Sequence, residues 1–270
     1  MPGKYITNFT EQYQELWGWG KNSWGQLGDN TTTPKSSPVQ TVAGGTNWKQ
    51  ASNSYNFTAA IKTDGTLWTW GYNASGQLGD NTRTNTLSPI QTIAGGTNWV
   101  EVAAGYRYTA AIKTDGTLWL WGYNGSGQLG DNTITDKSSP IQTVAGGNSW
   151  KQVAVSGYHT AAIKTDGTLW LWGSNGSGEL GDDTYDKKSS PVQTVAGGTN
   201  WKQVAVGTWF SAAIKTDGTL WTWGQNNYGQ LGNNDQYSEM TSPVQTIAGG
   251  TTWKYVSCGA RYITAITYGD

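Results

Sequence analysis

AAIKTDGTLWTWG, residues 59–71, reads as two β-strands and the turn between them. TAAIKT is a short apolar run, and TLWTW places Trp68 and Trp70 on one face with Leu67 and Thr69 on the other. Asp64-Gly65 lies between them, a strong hairpin signal, read here as a type I′ turn with positive φ at both central residues. The ten residues AAIKTDGTLW recur unchanged at 110–119, 161–170 and 212–221. The hairpin is therefore one part of a repeat, and the repeat decides the fold.

LWxWG begins at Leu16, Leu67, Leu118, Leu169 and Leu220, a strict period of 51. SPVQT or SPIQT begins at Ser37, Ser88, Ser139, Ser190 and Ser242, with one extra residue before the last. Cutting before each LW gives five units, 16–66, 67–117, 118–168, 169–219 and 220–270, preceded by an extension, 1–15. WKQVA alternates apolar and polar residues and supplies strand A, TAAIKT strand B and TLWTW strand C. SPVQTVA supplies strand D, whose leading proline suits an edge. Four short antiparallel strands per unit of about fifty residues are the signature of a β-propeller blade. The fold class is all-β, a five-bladed propeller. Each unit enters at C and leaves at B, so the ring is expected to close by pairing the N-terminal C/D strands with the C-terminal A/B strands.

Composition narrows the functions. The chain of 270 residues is 36% hydrophobic, enough for a sizeable core. A formal net charge of −1 gives no broad basic field, so nucleic acid is not expected as a partner. The first fifteen residues lack a signal-like apolar run, and no stretch approaches a membrane span. A soluble monomer without membrane insertion is expected, with its export route unwritten. Cys258 is the only cysteine and His159 the only histidine, so no cysteine metal cluster and no histidine–carboxylate site is expected. With one imidazole and no phosphate-binding loop, no catalytic residue, metal or cofactor is assigned.

GxNxxGQLGDNT, then SPVQT, the A strand, an aromatic or His at the head of B, and KTDGTLWxWG together resemble the regulator of chromosome condensation type repeat, over residues 16–270. The resemblance implies a propeller. It also raises nucleotide exchange on a small GTPase as one function. Most family members of known structure have seven blades, whereas five repeats stand here, as in lectin propellers of similar repeat length. The family's repeat histidine appears only as His159, with Phe57, Tyr108, Phe210 and Tyr262 in the other copies.

Strand direction alternates within a blade, so the A–B and C–D loops open on one face and the B–C and D–A loops on the other. KTDGT and AGGTN, on the second face, hardly vary. The first face drifts. Its A–B loops carry Tyr55, Tyr106-Arg107, Tyr158, Trp209 and Arg261, and its C–D loops carry Trp24, Tyr72, Arg83, Tyr123, Tyr185, Tyr228 and Tyr237. Loops above a rigid scaffold carry recognition, and Tyr, Trp and Arg most often anchor interfaces. These thirteen residues are the candidate binding set. Of seventeen tryptophans, fifteen belong to the repeat and are expected in packing; Trp24 and Trp209 alone fall outside it. The GQLGDN loops are expected to be structural, with leucine plugging the core and Asn/Asp capping the backbone.

The leading functional expectation is thus a non-catalytic binding propeller that grips a protein or cell-surface partner through the variable face. The alternatives are a multivalent lectin with one glycan site per blade, and an exchange factor. Near-identical copies point to a cell-surface or virion setting, as in bacterial or phage adhesins.

Overall fold

The computed structural model describes residues 14–45 and 47–269. Of the extension expected at 1–15, only Gln14 and Glu15 fall within them. The strands are β1 (Trp17–Gly20), β2 (Lys35–Gln40), β3 (Trp48–Asn53), β4 (Phe57–Lys62), β5 (Leu67–Gly71), β6 (Thr86–Gln91), β7 (Trp99–Ala104), β8 (Tyr108–Lys113), β9 (Leu118–Gly122) and β10 (Lys137–Gln142). They continue with β11 (Trp150–Val155), β12 (His159–Lys164), β13 (Leu169–Gly173), β14 (Lys188–Gln193), β15 (Trp201–Val206), β16 (Phe210–Lys215), β17 (Leu220–Gly224), β18 (Met240–Gln245), β19 (Trp253–Cys258) and β20 (Ile263–Thr267). Four antiparallel sheets follow the A–B–C–D order: β3 to β6, β7 to β10, β11 to β14 and β15 to β18. The register repeats from blade to blade, Phe57 opposite Gly71 and Ile61 opposite Leu67 in the first, Tyr108 opposite Gly122 in the next.

Strand B is buried on both faces, with Phe57, Ala59, Ala60 and Ile61 fully enclosed. Two consecutive alanines let neighbouring blades approach closely, and the core lies between blades: Ala59, Ile61 and Leu67 pack with Trp99, Val102 and Trp121 of the next sheet. At three of the four junctions the A strand is tied to the next by a glutamine that mimics backbone. Gln50 accepts from Val102 N–H at 3.2 Å and donates to the Val102 carbonyl at 3.1 Å, and Gln152 does the same to Val204 at 3.1 and 3.0 Å.

Glu101 occupies this position in the second blade and accepts from Val153 N–H at 3.2 Å. As a carboxylate its other oxygen has no proton to give the Val153 carbonyl, and burial raises its pKa from 4.5 to about 7. The folded state therefore holds a proton that the unfolded state releases above pH 4.5. Stability from this site is intact below about pH 4.5 and falls as pH rises to about 7, by up to about 3 kcal/mol. Glu101→Gln is expected to remove that slope and to raise the denaturation midpoint at pH 8 but not at pH 4, as urea titrations at the two pH values will read.

Three expectations need correction. The ring closure is not formed: among the described residues β1 pairs only with β2 and β20 only with β19, leaving a two-stranded sheet at each end of the row. A C strand's tryptophans are covered by the B strand beside it and by the preceding C–D loop, and among the described residues β1 has neither. Trp17 and Trp19 are accordingly 47% and 62% exposed, so packing does not account for all fifteen repeat tryptophans. The hairpin turn is also not type I′. Only Gly65 has positive φ, at 78°, and its N–H donates to the Lys62 carbonyl at 2.9 Å. The three-residue loop is the turn that places a left-handed glycine after two ordinary residues. Asp64 keeps an ordinary φ because its carboxylate caps the loop, accepting from Thr66 N–H at 2.9 Å and Oγ1–H at 2.7 Å.

Candidate functional site

The invariant residues are consumed by structure. In the loop 71–86, Asn73 accepts from Leu78 N–H at 2.9 Å and donates from Nδ2 to Asp80 and to the carbonyls of Thr82 and Thr84. Leu78 is fully buried, as the sequence led us to expect of these leucines. Asn81, at φ 63°, donates its N–H to the Ser138 carbonyl of the next D strand. Each GQLGDN loop is therefore a staple between one blade and its successor. Asp29, Asp131 and Asp182 add ion pairs to Lys35, Lys137 and Lys188 at 3.1 to 3.3 Å. Hydrogen bonds from Thr, Asn and Lys hold these three carboxyls below the usual range despite the opposing effect of burial.

On the opposite face from the KTDGT turns, the A–B and C–D loops meet. Tyr72 N–H donates to the Asn56 carbonyl, Tyr123 N–H to that of Arg107 and Ser174 N–H to that of Tyr158. This brings the drifting side chains into one patch. Tyr55 and Tyr106 have ring centroids 6.4 Å apart, Tyr106 and Tyr158 6.0 Å, and Tyr158 and Trp209 4.9 Å with planes 16° from parallel. The Arg107 guanidinium lies 5.1 Å from the Tyr106 ring and 5.6 Å from that of Tyr72, which meets Trp24 edge-on at 4.8 Å. At the other end Lys21 Nζ sits 4.1 Å above Tyr55 and donates to Asn56 Oδ1 at 3.3 Å. Cations over ring faces attract the ring quadrupole, and each pair stiffens two side chains that would otherwise be free.

Seven of the thirteen candidate residues thus join in a continuous patch drawn from four repeats, with Lys21 as an eighth member absent from the set. Its signal was available: position 21 drifts among the copies. Arg261 forms a separate pair with Tyr228, donating to its hydroxyl at 2.8 Å. Tyr123 folds back over Gly125 of its own loop. Arg83, Tyr185 and Tyr237 are exposed outside the patch, and Tyr237 holds a φ of 97°, uncommon for a non-glycine residue.

Of the other singular residues, His159 and Glu179 are buried and Cys258 is half-buried. His159 has no exposure; its Nε2 meets Ser211 Oγ at 3.0 Å and Nδ1 meets Ser156 Oγ at 3.2 Å. Burial pulls its pKa down to about 3, so the ring is neutral. Glu179 replaces the loop glutamine and accepts from Ser177 N–H at 2.8 Å, its pKa raised by burial. Burial pushes the Cys258 thiol up to about 12.

A row of four-stranded blades with one invariant and one variable loop face defines a propeller scaffold. The match to known sequences is specific: the RCC1-like domain covers residues 2–270, and the chain belongs to that family. It is 31% identical over 265 residues to the ultraviolet-B receptor UVR8 of Arabidopsis thaliana, covering 96% of this chain and 60% of that protein. It is 28% identical over 274 residues to the E3 ubiquitin-protein ligase HERC2 of Homo sapiens, covering 93% of this chain and 5% of that protein. The chain thus spans about 60% of UVR8. Among solved structures it is similar to human WBSCR16, with a TM-score of 0.81 at 22% identity over 95% of this chain and 68% of that one. It is likewise similar to Prp20p of Saccharomyces cerevisiae, with a TM-score of 0.80 at 19% identity over 95% and 65%.

Proposed function

We propose that residues 16–270 form one non-catalytic binding domain that recognises a protein through the variable A–B/C–D face. The observation that carries this reading is the patch from Trp24 through Tyr72, Arg107, Tyr106, Tyr55 and Tyr158 to Trp209, in which no repeat contributes the same set of side chains. Pre-stiffened aromatic and arginine side chains lose little further entropy on contact, which is what interface anchors require. The family supports a protein partner: Prp20p is described with binding properties to Gsp1p and histones, and yeast RCC1 (Prp20) with Kap60 bound. The lectin alternative needs near-equivalent sites among invariant residues, and those are engaged in staples and packing. Exchange on a small GTPase rests on the family resemblance alone.

The test is photo-crosslinking with p-benzoylphenylalanine placed at Tyr158, or at Lys62 on the invariant face as control, followed by identification of the captured protein. The Tyr158 position is expected to capture one partner at one copy per chain; capture only from Lys62 would overturn the reading. With that partner in hand, Trp209→Ala and Arg107→Ala are each expected to weaken binding tenfold or more while moving the thermal midpoint little. A large fall in midpoint would instead make both residues packing elements.

A further inference from the structure

Charge in the aromatic patch is one-sided. Its cations are Lys21 and Arg107, and none of its members is an acid. The lysines of the neighbouring loop frame are engaged elsewhere, Lys35 with Asp29, Lys137 with Asp131 and Lys188 with Asp182. Arg107 has no such partner. Its Nε is buried without an acceptor, and among the described residues no oxygen of the chain bonds the guanidinium, which rests instead on two ring faces, 5.1 Å from Tyr106 and 5.6 Å from Tyr72. The sheet that carries it, β7 to β10, has a complete four-stranded sheet on each side, β3 to β6 and β11 to β14. The unmatched charge is therefore a property of the interior of the row.

The other end of the patch is uncharged. Tyr158 and Trp209 stack there at 4.9 Å with planes 16° from parallel. Backbone links one A–B loop to the next beneath them: Ser54 Oγ–H donates to the Tyr106 carbonyl at 3.3 Å and Tyr106 N–H to that of Ser156 at 3.0 Å. The surface thus has a cationic end and an apolar end held in fixed relation. A cationic ligand is disfavoured, because the ring faces that would attract it already hold the chain's own cations. A carboxylate is favoured, since the guanidinium fork matches its two oxygens and a charge-assisted bond strengthens where rings exclude water. Nucleic acid calls for a basic track that neutralises many phosphates, whereas this surface offers a focus of two cations on a chain of net charge −1.

We infer that the variable face takes a short linear segment of its protein partner in which acidic residues stand beside an aromatic or large aliphatic one. The carboxylates sit at Arg107 and Lys21, and the apolar side chain lies on the Tyr158–Trp209 platform. This inference rests on the reading of that face as a recognition surface and narrows it to one chemistry. One loop position gives it a direction: in successive repeats that position is Asn56, Arg107, Tyr158 and Trp209, so amide, cation and aromatic follow one another across the face. A segment laid along the row is read in one orientation, with its acidic part toward Arg107 and its apolar part toward Trp209.

The experiment selects a phage-displayed library of random dodecapeptides on the full chain, then measures the enriched peptides by fluorescence anisotropy. They are titrated with the chain itself and with Arg107→Gln, Arg107→Lys, Trp209→Ala and, outside the patch, Arg83→Gln. Gln and Lys at 107 keep the aliphatic stem against the rings, so the fold is retained. The expected peptides are acidic, carry an aromatic or large aliphatic residue and bind one per chain. Arg107→Gln and Trp209→Ala should each weaken them at least about tenfold, Arg107→Lys less, and Arg83→Gln not at all; raising salt from about 50 to about 500 mM should weaken them further. Neutral or basic peptides that still depend on Arg107 and Trp209 would overturn the acidic assignment and leave the recognition face standing. Peptides indifferent to every patch variant would overturn both. A library that yields no binder would overturn the linear segment, as would a twelve-nucleotide oligothymidylate that binds tighter than the acidic peptides.

Discussion

Trp172→Ala is expected to destabilise the chain by about 3–5 kcal/mol, and Trp19→Ala, at the equivalent position of the first repeat, by under about 0.5 kcal/mol. Both residues are the second tryptophan of LWxWG. Trp172 is wholly enclosed, packs edge-on against Trp150 with centroids 6.1 Å apart, and bonds the Gln128 carbonyl at 2.8 Å. A buried indole takes about 150–250 Å² out of water. Its removal leaves a hole between two blades whose backbones are held by their own ladders and cannot collapse, and it takes from the buried Gln128 carbonyl one of its two donors, leaving Thr160 Oγ1–H at 2.9 Å. Trp19 has none of these partners. Urea unfolding followed by far-UV circular dichroism separates the two variants, and a matching large loss for Trp19→Ala would show that its indole is covered in solution.

Gly65→Val is expected to cost at least about 3 kcal/mol, from left-handed strain on a β-branched residue and a backbone clash together. A Cβ on Gly65 would lie 2.1 Å from the Thr97 carbonyl oxygen and 2.6 Å from its carbon. The carbonyl lies in the loop from β6 to β7, two residues before β7 begins the adjacent blade, so it has little room to move without disturbing that strand. Gly95→Ala is the control: φ is 53°, nothing lies within 4 Å, and only the backbone term of about 1 kcal/mol remains. Thermal melts of the two variants should differ by several degrees in midpoint. Equal shifts would remove the clash and leave strain alone.

The strand plan of each complete blade was legible because packing and ladder both follow local pattern: WKQVA alternates, AAIK is small and apolar, and Pro begins the edge. The split of the variable from the invariant face was legible for the same reason, since strand direction fixes which loops share an end. Three things were not. The turn at Asp64 depends on a carboxylate capping its own loop, which Asp-Gly shares with the type I′ alternative. The partner of the second tryptophan in each complete LWxWG strand is a carbonyl 44 residues earlier, and nothing in the identity of residue 77 marks its carbonyl. The open ends depend on the angle accumulated across every blade junction, a sum of small packing choices that no single repeat displays. Within the candidate site, the aromatic residues stood out by type and drift, but Lys21 did not, because one lysine on a loop resembles ordinary solvated charge until its position 4.1 Å above Tyr55 is known.

The C–D loop places its two kinds of residue side by side: Asn73, Leu78 and Asp80 bind the frame, while the side chains of Tyr72 and Arg83 on either side of them do not enter the staple. Stability and surface variation are therefore encoded at separate positions of the same dozen residues. Such a loop can be diversified the way an antibody loop is, by randomising a few sites on a constant frame, and five tandem copies multiply the sequence combinations while each inherits the same scaffold. A library built on positions 21, 72, 123, 174 and 225 would draw its members from one melting temperature and many surfaces.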